Sequence, residues 1–214
     1  MNDRRANLPG ELDAFVGDFR GLLAQIGHSD EVEVLRDASA KQVTDAASLR
    51  HFLHTYVTQS LYPVELPAIC KAYFHTARYE CRELIALDKQ LATEARLLRF
   101  GSASAEVGRN HLLNLRPLRE NRFVQRYIVA LEAGEVHAWH TLVYGVSLSV
   151  YSVPLRQGLL AYSSLVLDGF ALAANGMPKL LVPELRAIVD EVSAKLPEQI
   201  DFLLAPGENL FKAA

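Results

Sequence analysis

The sequence predicts an all-α fold, a single-domain multi-helix bundle of about seven to nine helices, and three observations lead to this prediction. Apolar residues recur at the helical spacing i, i+3, i+4, i+7 along most of the chain, whereas no stretch alternates convincingly with period two. Half of the 214 residues are hydrophobic, which is enough for a sizeable core. No repeat or linker divides the chain, so we expect one domain over residues 1–214, with a flexible segment at about 1–10 and a tail at about 201–214.

The first helices are predicted from caps and apolar spacing. Asp45 is an N-cap candidate, and the apolar residues that follow it with helical spacing are Leu49, Phe52, Leu53 and Tyr56. Glu65–Thr93 is a long helical stretch in which Pro67 fits near the start. We expect a break in it near Arg78–Arg82. Ahead of these helices, Glu31–Asp37 comes closest to a strand, which would be short and isolated.

The middle of the chain predicts two more helices. Thr93–Leu115 has a helical pattern that Gly101 and Gly108 interrupt, each at a cost of about 1 kcal/mol against alanine. Glycines kept at such positions indicate that another backbone comes close to the helix. Pro117 ends this helix, and Asn121–Leu131 forms the next, shorter one.

The last part of the chain predicts the central helices. Val136–Tyr151 and Pro154–Ala174 are two apolar helices. Around Leu142–Val150 and Leu155–Leu172 they are apolar nearly all round, which indicates burial on every side. Asn175-Gly176 is a good stop for the second of them. In the final helix Pro183 lies in the first turn. Its apolar stripe consists of Leu185, Ile188, Val189, Val192 and Leu196. We expect the tail, residues 201–214, to be extended.

Composition excludes several function classes. The formal net charge of −3 gives no electrostatic attraction to DNA, RNA or anionic lipid. Cys70 and Cys81, if on one helix, lie about 16 Å apart, too far to form a disulfide or to share a metal. From residues 1–5 we expect no signal peptide, and no apolar run in the sequence is long enough to span a bilayer. These features predict a cytoplasmic protein with no nucleic-acid or membrane partner.

The histidines are the one candidate for metal chemistry. His137 and His140 are spaced so that one helix face would present both imidazoles, and His51 and His54 share this spacing. A zinc site needs three or four ligands, and no H-E-x-x-H or E-x-x-H motif supplies them. We therefore interpret both pairs as helix surface or interface. Nucleophile-elbow and glycine-rich phosphate-binding motifs are absent too, so no motif identifies an enzyme.

Five segments together resemble one known family. They are "VTDAASLRHFL" (Val43–Leu53), "ELPAICKAY", "LIALDKQLAT" with its leucine-aspartate step, "SASAEVGRNHLLNL" with Gly108-Arg109, and "HAWHTLVYGVSLSVYSVPLRQGLLAYSSLVLDGFALAA". In this order they resemble the UreF-type urease accessory proteins over Val43–Ala174. The final "LFKAA" is similar to that family's ending. The chain departs from the family in its N-terminal segment and at "NGMPKLLVPEL".

The resemblance implies a protein that is not an enzyme and that binds no cofactor stably, nickel being the cargo of the pathway. Implied partners are UreD/UreH-type and UreG-type accessory proteins and apo-urease, with the chain as a homodimeric scaffold and GTPase modulator. The interface candidates are Arg109, His137, His140, Tyr144, Gly145 and Phe211. His137 and His140 would orient toward neighbours from a core helix, and Gly145 would permit close helix approach.

Two alternatives remain open from the residues. One is a helical-bundle enzyme that binds a small heterocyclic ligand, in the manner of thiaminase-like or haem-oxygenase-like proteins. Its pocket residues would be Glu80, His137, Tyr144 and Tyr162. The other is a chaperone that binds the metal directly through its histidine pairs.

Overall fold

A computed structural model describes residues 43–94, 101–174 and 182–205 of the chain. These residues form nine α-helices and one π-helical segment, Val57–Glu65, and contain no β-strand. The α-helices are α1 (Ala46–Tyr56), α2 (Leu66–Ala77), α3 (Cys81–Leu91), α4 (Gly101–Asn114), α5 (Arg122–Glu132), α6 (His140–Val150), α7 (Leu155–Ala174), α8 (Val182–Ser193) and α9 (Leu196–Leu204). The predicted all-α multi-helix bundle is confirmed.

Several helix boundaries follow from the predicted caps. The Asp45 carboxylate accepts a 2.8 Å hydrogen bond from the Ser48 amide, and the Ser48 hydroxyl accepts one from the Asp45 amide. This reciprocal capping box satisfies two backbone donors at the start of α1. Asn121 caps α5 in a similar way, because its side-chain oxygen accepts a hydrogen bond from the Val124 amide. The break predicted in Glu65–Thr93 is also confirmed, between α2 and α3.

Three expected boundaries are wrong. Thr93 and the residue after it are not helical, and α4 is described from Gly101. Residues 201–204, expected to be extended, form the last turn of α9. The third error is at the start of α6, because the helix expected from Val136 begins at His140. The π-helical segment was not predicted; it contains Pro63, which has no amide hydrogen to donate.

The described chain divides into two compact units. The first unit comprises residues 43–57, 156–174 and 182–202. In it α1 packs on α8, and the Phe170 ring makes edge-to-face contacts with Phe52 and Tyr56, each at 4.9 Å between centroids. The apolar stripe predicted from Leu185 to Leu196 is buried, although Leu196 belongs to α9. The single-domain organisation stays a prediction.

The second unit comprises residues 58–94, 101–155 and 203–205. Its core surrounds α6, whose residues from His140 to Leu148 are all buried. This helix packs mainly on α2 and α4, as expected for a central helix. No helix in the described ranges is long and apolar enough to cross a membrane.

The remaining predictions fall on other parts of the chain. The possible strand at Glu31–Asp37, the flexible segment at about 1–10, the helix stop at Asn175-Gly176 and the tail beyond residue 205 lie outside the described residues.

Candidate functional site

The segment before α6 is not helical, contrary to the prediction that the helix starts at Val136. The helix begins at His140, with Trp139 as its N-cap residue. Ala138 has a φ of 57°, in the left-handed region that residues with a side chain rarely adopt. His137 and His140 therefore do not share a helix face, and the spacing that would have presented both imidazoles to one metal does not arise.

A buried carboxylate on α3 holds this segment in place. Asp88 is fully buried, and its Oδ1 accepts a 2.7 Å hydrogen bond from the His137 amide. Its Oδ2 accepts hydrogen bonds from the Ala138 amide at 2.9 Å and from the Tyr127 hydroxyl at 2.8 Å. The Trp139 indole donates to the Asp88 carbonyl oxygen at 3.0 Å. Charge-assisted bonds of this kind are strong, which explains how the segment tolerates a left-handed residue.

The Tyr127 hydroxyl acts as a hydrogen-bond donor to Asp88 in this arrangement. Burial raises its pKa well above the ordinary value of 10, and the neighbouring Asp88 carboxylate raises it further. The phenol therefore stays protonated, and its proton points to the carboxylate. Both oxygens of Asp88 are thus occupied in fixing backbone and core.

On its other side, the segment contacts α4 at Gly108. A Cβ atom at this position would lie 1.9 Å from the Ala138 carbonyl oxygen and 2.6 Å from the His140 amide nitrogen. The Ser104 hydroxyl, one turn earlier, accepts a 3.1 Å hydrogen bond from that same amide. The close backbone approach predicted for Gly108 is confirmed, whereas a Cβ atom on Gly101 would make only an ordinary contact, at 3.5 Å, with the Trp139 ring.

A second glycine contact fixes the far side of α6. A Cβ atom on Gly145 would lie 2.5 Å from the Ile69 carbonyl oxygen and 2.9 Å from the Ala72 Cβ, both on α2. The predicted role of Gly145 in close helix approach is confirmed. Because neither glycine has a side chain, α4 closely approaches the backbone at the start of α6, and α6 closely approaches the backbone of α2.

Polar side chains line the buried interface between α4 and α6. The His111 imidazole lies 3.2 Å from the Ser147 hydroxyl, measured from Nε2 to Oγ. The centroid of the His140 ring lies 5.9 Å from that of His111 and 6.0 Å from that of Tyr144. His140 thus orients toward neighbours inside the second unit, as the family resemblance implied. Among the described residues, no group of three or more His, Cys, Asp or Glu side chains is arranged to hold a metal ion.

The structure separates the six predicted interface residues into three groups. Arg109 and His137 are exposed. His140, Tyr144 and Gly145 are buried within the second unit, and Phe211 lies outside the described residues. Gly108 contacts Ala138, and Arg109 and His137 are the exposed residues next to them in sequence. We call this pair the Arg109–His137 surface; its role in partner binding stays a prediction.

Sequence reasoning missed Asp88 as the organiser of the site, although a signal was present. Leu84, Leu87 and Leu91 form the buried face of α3, and Asp88 falls on the same face. An ionisable residue within an apolar stripe is rarely buried without partners. The pattern therefore predicts a buried carboxylate with several donors, but it does not say where in the chain the donors lie.

A comparison with protein-family models decides the family. The model described as UreF matches residues 43–175, which is more than half of the 214-residue chain. The chain belongs to the UreF family. No curated protein matches the sequence. The matched range includes Asp88, Gly108 and Gly145, so the contacts that position α6 lie within the part of the UreF chain that defines the family.

The family gives the function at a coarse level. UreF proteins are urease accessory proteins, which interact with other urease accessory proteins and are not catalytic enzymes. The resemblance seen in the sequence over Val43–Ala174 is confirmed, and its range differs from that of the family match by one residue.

Proposed function

We propose that this UreF chain is a non-catalytic scaffold and GTPase modulator in the insertion of nickel into apo-urease, acting in the cytoplasm. The observation that carries the proposal is the family match over residues 43–175. In this proposal nickel is the cargo of the pathway, and the chain holds no resident metal or cofactor.

The geometry of the second unit is consistent with a scaffold. The buried polar groups around Val136–Trp139 fix backbone, since both carboxylate oxygens of Asp88 accept hydrogen bonds from other parts of the unit. This arrangement gives the exposed His137 a defined backbone position beside α4. A surface whose backbone is already ordered loses less conformational entropy on binding a partner than a mobile one.

The proposed partners are UreD/UreH-type and UreG-type accessory proteins and apo-urease, with the chain itself forming a homodimer. We assign the Arg109–His137 surface to one of these contacts. Arginine is enriched at the energetically important positions of protein interfaces, and Arg109 is exposed beside a rigid glycine contact.

Co-expression with the UreD- and UreG-type proteins and urease of the same organism tests the proposal. We expect affinity capture of the chain to yield a complex of defined size, and urease activation that depends on GTP and is lost when this chain is omitted. A well-folded chain that captures neither accessory protein, and whose omission leaves activation unchanged, would refute the scaffold role.

A further inference from the structure

The outer side of α3 and α5 carries a group of exposed arginines that the proposed function does not use. Arg122 and Arg126 lie one turn apart on the exposed side of α5, and Arg119 is exposed in the loop before it. Arg82 is exposed in the first turn of α3. We call these four residues the arginine face. The exposed Val129, 62% accessible, continues the line of Arg122 and Arg126 along α5.

The four arginines lie on two packed helices of the second unit and on the loop before α5. Helices α3 and α5 pack against each other. Burial raises the pKa of the thiol of Cys81, the residue before Arg82, and the charge of Arg126 partly offsets that rise. The loop carrying Arg119 is fastened to α5, because the Gln125 side chain donates to the carbonyl oxygens of Arg116 and Leu118 at 3.2 and 3.1 Å.

The guanidinium groups of the arginine face have no acidic partner within the described part of the chain, unlike other arginines there. Arg50 pairs with Glu191, Arg116 with Glu132, and Arg156 with Asp201. All four side chains are exposed, so their guanidinium groups can reach an external ligand. They stand out because the chain as a whole carries a net charge of −3.

The composition of the face favours a protein ligand over a nucleic acid. Two exposed carboxylates, Glu83 and Glu120, lie in sequence next to Arg82 and Arg119 and would repel a uniform polyanion. A protein surface can instead place its own basic or neutral groups opposite them. Arginine and exposed apolar side chains together are typical of the centre of protein interfaces, where charge pairs form around an apolar contact such as Val129.

We propose that the arginine face binds an acidic segment of a partner protein, at a site separate from the Arg109–His137 surface. Each guanidinium can bind a carboxylate through two parallel hydrogen bonds, which fixes the orientation of the partner as well as attracting it. Val129 supplies apolar contact at the end of the row. The inference goes beyond the proposed function, because neither the family match nor the UreF role assigns this face.

The test uses the full chain and a short fluorescein-labelled peptide of glutamate and leucine residues, with binding followed by fluorescence anisotropy. We expect binding that weakens as salt is raised. The double variant Arg122→Gln/Arg126→Gln should bind roughly tenfold more weakly, because two surface charge pairs are lost. The matched variant Arg122→Lys/Arg126→Lys keeps both charges and should retain most of the affinity.

Equal affinity for the wild type and the glutamine variant would overturn the proposal, as would tighter binding of a labelled single-stranded DNA that displaces the peptide. Circular dichroism of each variant checks that the fold is intact, which is expected because the substituted side chains are exposed. No urease component is present in this assay. A failure here is therefore distinguishable from a failure of the scaffold role.

Discussion

At the residue scale, Asp88 is the side chain on which the start of α6 depends. Its carboxylate is fully buried and accepts hydrogen bonds from two backbone amides and one phenol. Those donors are 39 to 50 residues away in sequence. A buried carboxylate with this many donors is stable because the hydrogen bonds replace its lost hydration. If a donor group replaces one of the oxygens, that group faces another donor and the folded state loses stability.

Replacing Asp88 by asparagine tests this dependence. One carboxylate oxygen becomes an NH₂ group that faces an N–H or O–H donor, so we expect the free energy of unfolding to fall by about 2–3 kcal/mol. Urea unfolding followed by circular dichroism measures it. Tyr127→Phe, which removes one donor and keeps the ring, should cost about 1 kcal/mol. An Asp88→Asn variant as stable as the wild type would show that the network does not hold the segment.

A second residue-scale prediction concerns pH. Burial raises the pKa of Asp168 to about 6 from 3.8; Asp190 adds to the rise, while Ser164 and Arg186 oppose it. Between those two pH values the folded chain binds a proton that the unfolded chain releases, so the contribution of Asp168 to stability falls as pH rises and is constant above about 6. Asp168→Asn should therefore stabilise the protein at pH 7 by about 1–3 kcal/mol.

The measurement is urea unfolding of the wild type and Asp168→Asn at several pH values. The gain from the substitution should grow between pH 4 and 6 and then level off. A gain that does not change with pH would mean that the carboxyl does not titrate in this range.

At the scale of elements, much of the fold was readable in the sequence. The cap at Asp45, the apolar spacing of α1 and α8, and the break before α3 are local signals, and all were correct. The start of α6 was not, because Val136–Trp139 contains three apolar residues out of four and carries no proline or glycine to mark a boundary. What keeps it out of the helix is the Asp88 carboxylate, a contact made through the tertiary fold.

The two glycine contacts give a prediction about helix packing. Gly108→Ala places a methyl group against the Ala138 carbonyl oxygen, and Gly145→Ala places one against that of Ile69. Backbone cannot move aside as a flexible side chain does, so we expect each variant to lose at least about 2 kcal/mol of stability. Gly101→Ala is the matched control, because its methyl group would make an ordinary contact with the Trp139 ring at 3.5 Å. Thermal unfolding of the three variants compares them; equal melting temperatures would contradict the packing argument.

At the scale of the whole molecule, the candidate site was predicted in part. Arg109 and His137 were chosen from the sequence and are exposed, whereas His140, Tyr144 and Gly145, chosen with them, are buried. The difference follows from the non-helical segment, which puts His137 outside and begins the buried helix at His140. Residue type and spacing could not distinguish these two environments, because the burial of α6 depends on helices from elsewhere in the chain.

The last prediction is that partner binding and folding are separable in this protein. Arg109→Glu/His137→Ala changes two exposed side chains, so the free energy of unfolding should stay within about 0.5 kcal/mol of the wild type. The same variant should lose capture of the accessory proteins, because the introduced glutamate is repelled by the partner groups that attract the wild-type arginine. Lys195→Glu, an exposed charge reversal in the first unit, is the control and should keep full capture. Sizing of the captured complexes, with urea unfolding of each chain alone, makes the comparison. Undiminished capture by the double variant would show that the Arg109–His137 surface is not part of the interface. Lost capture together with lost stability would show that these residues stabilise the fold near Asp88 and Gly108 instead.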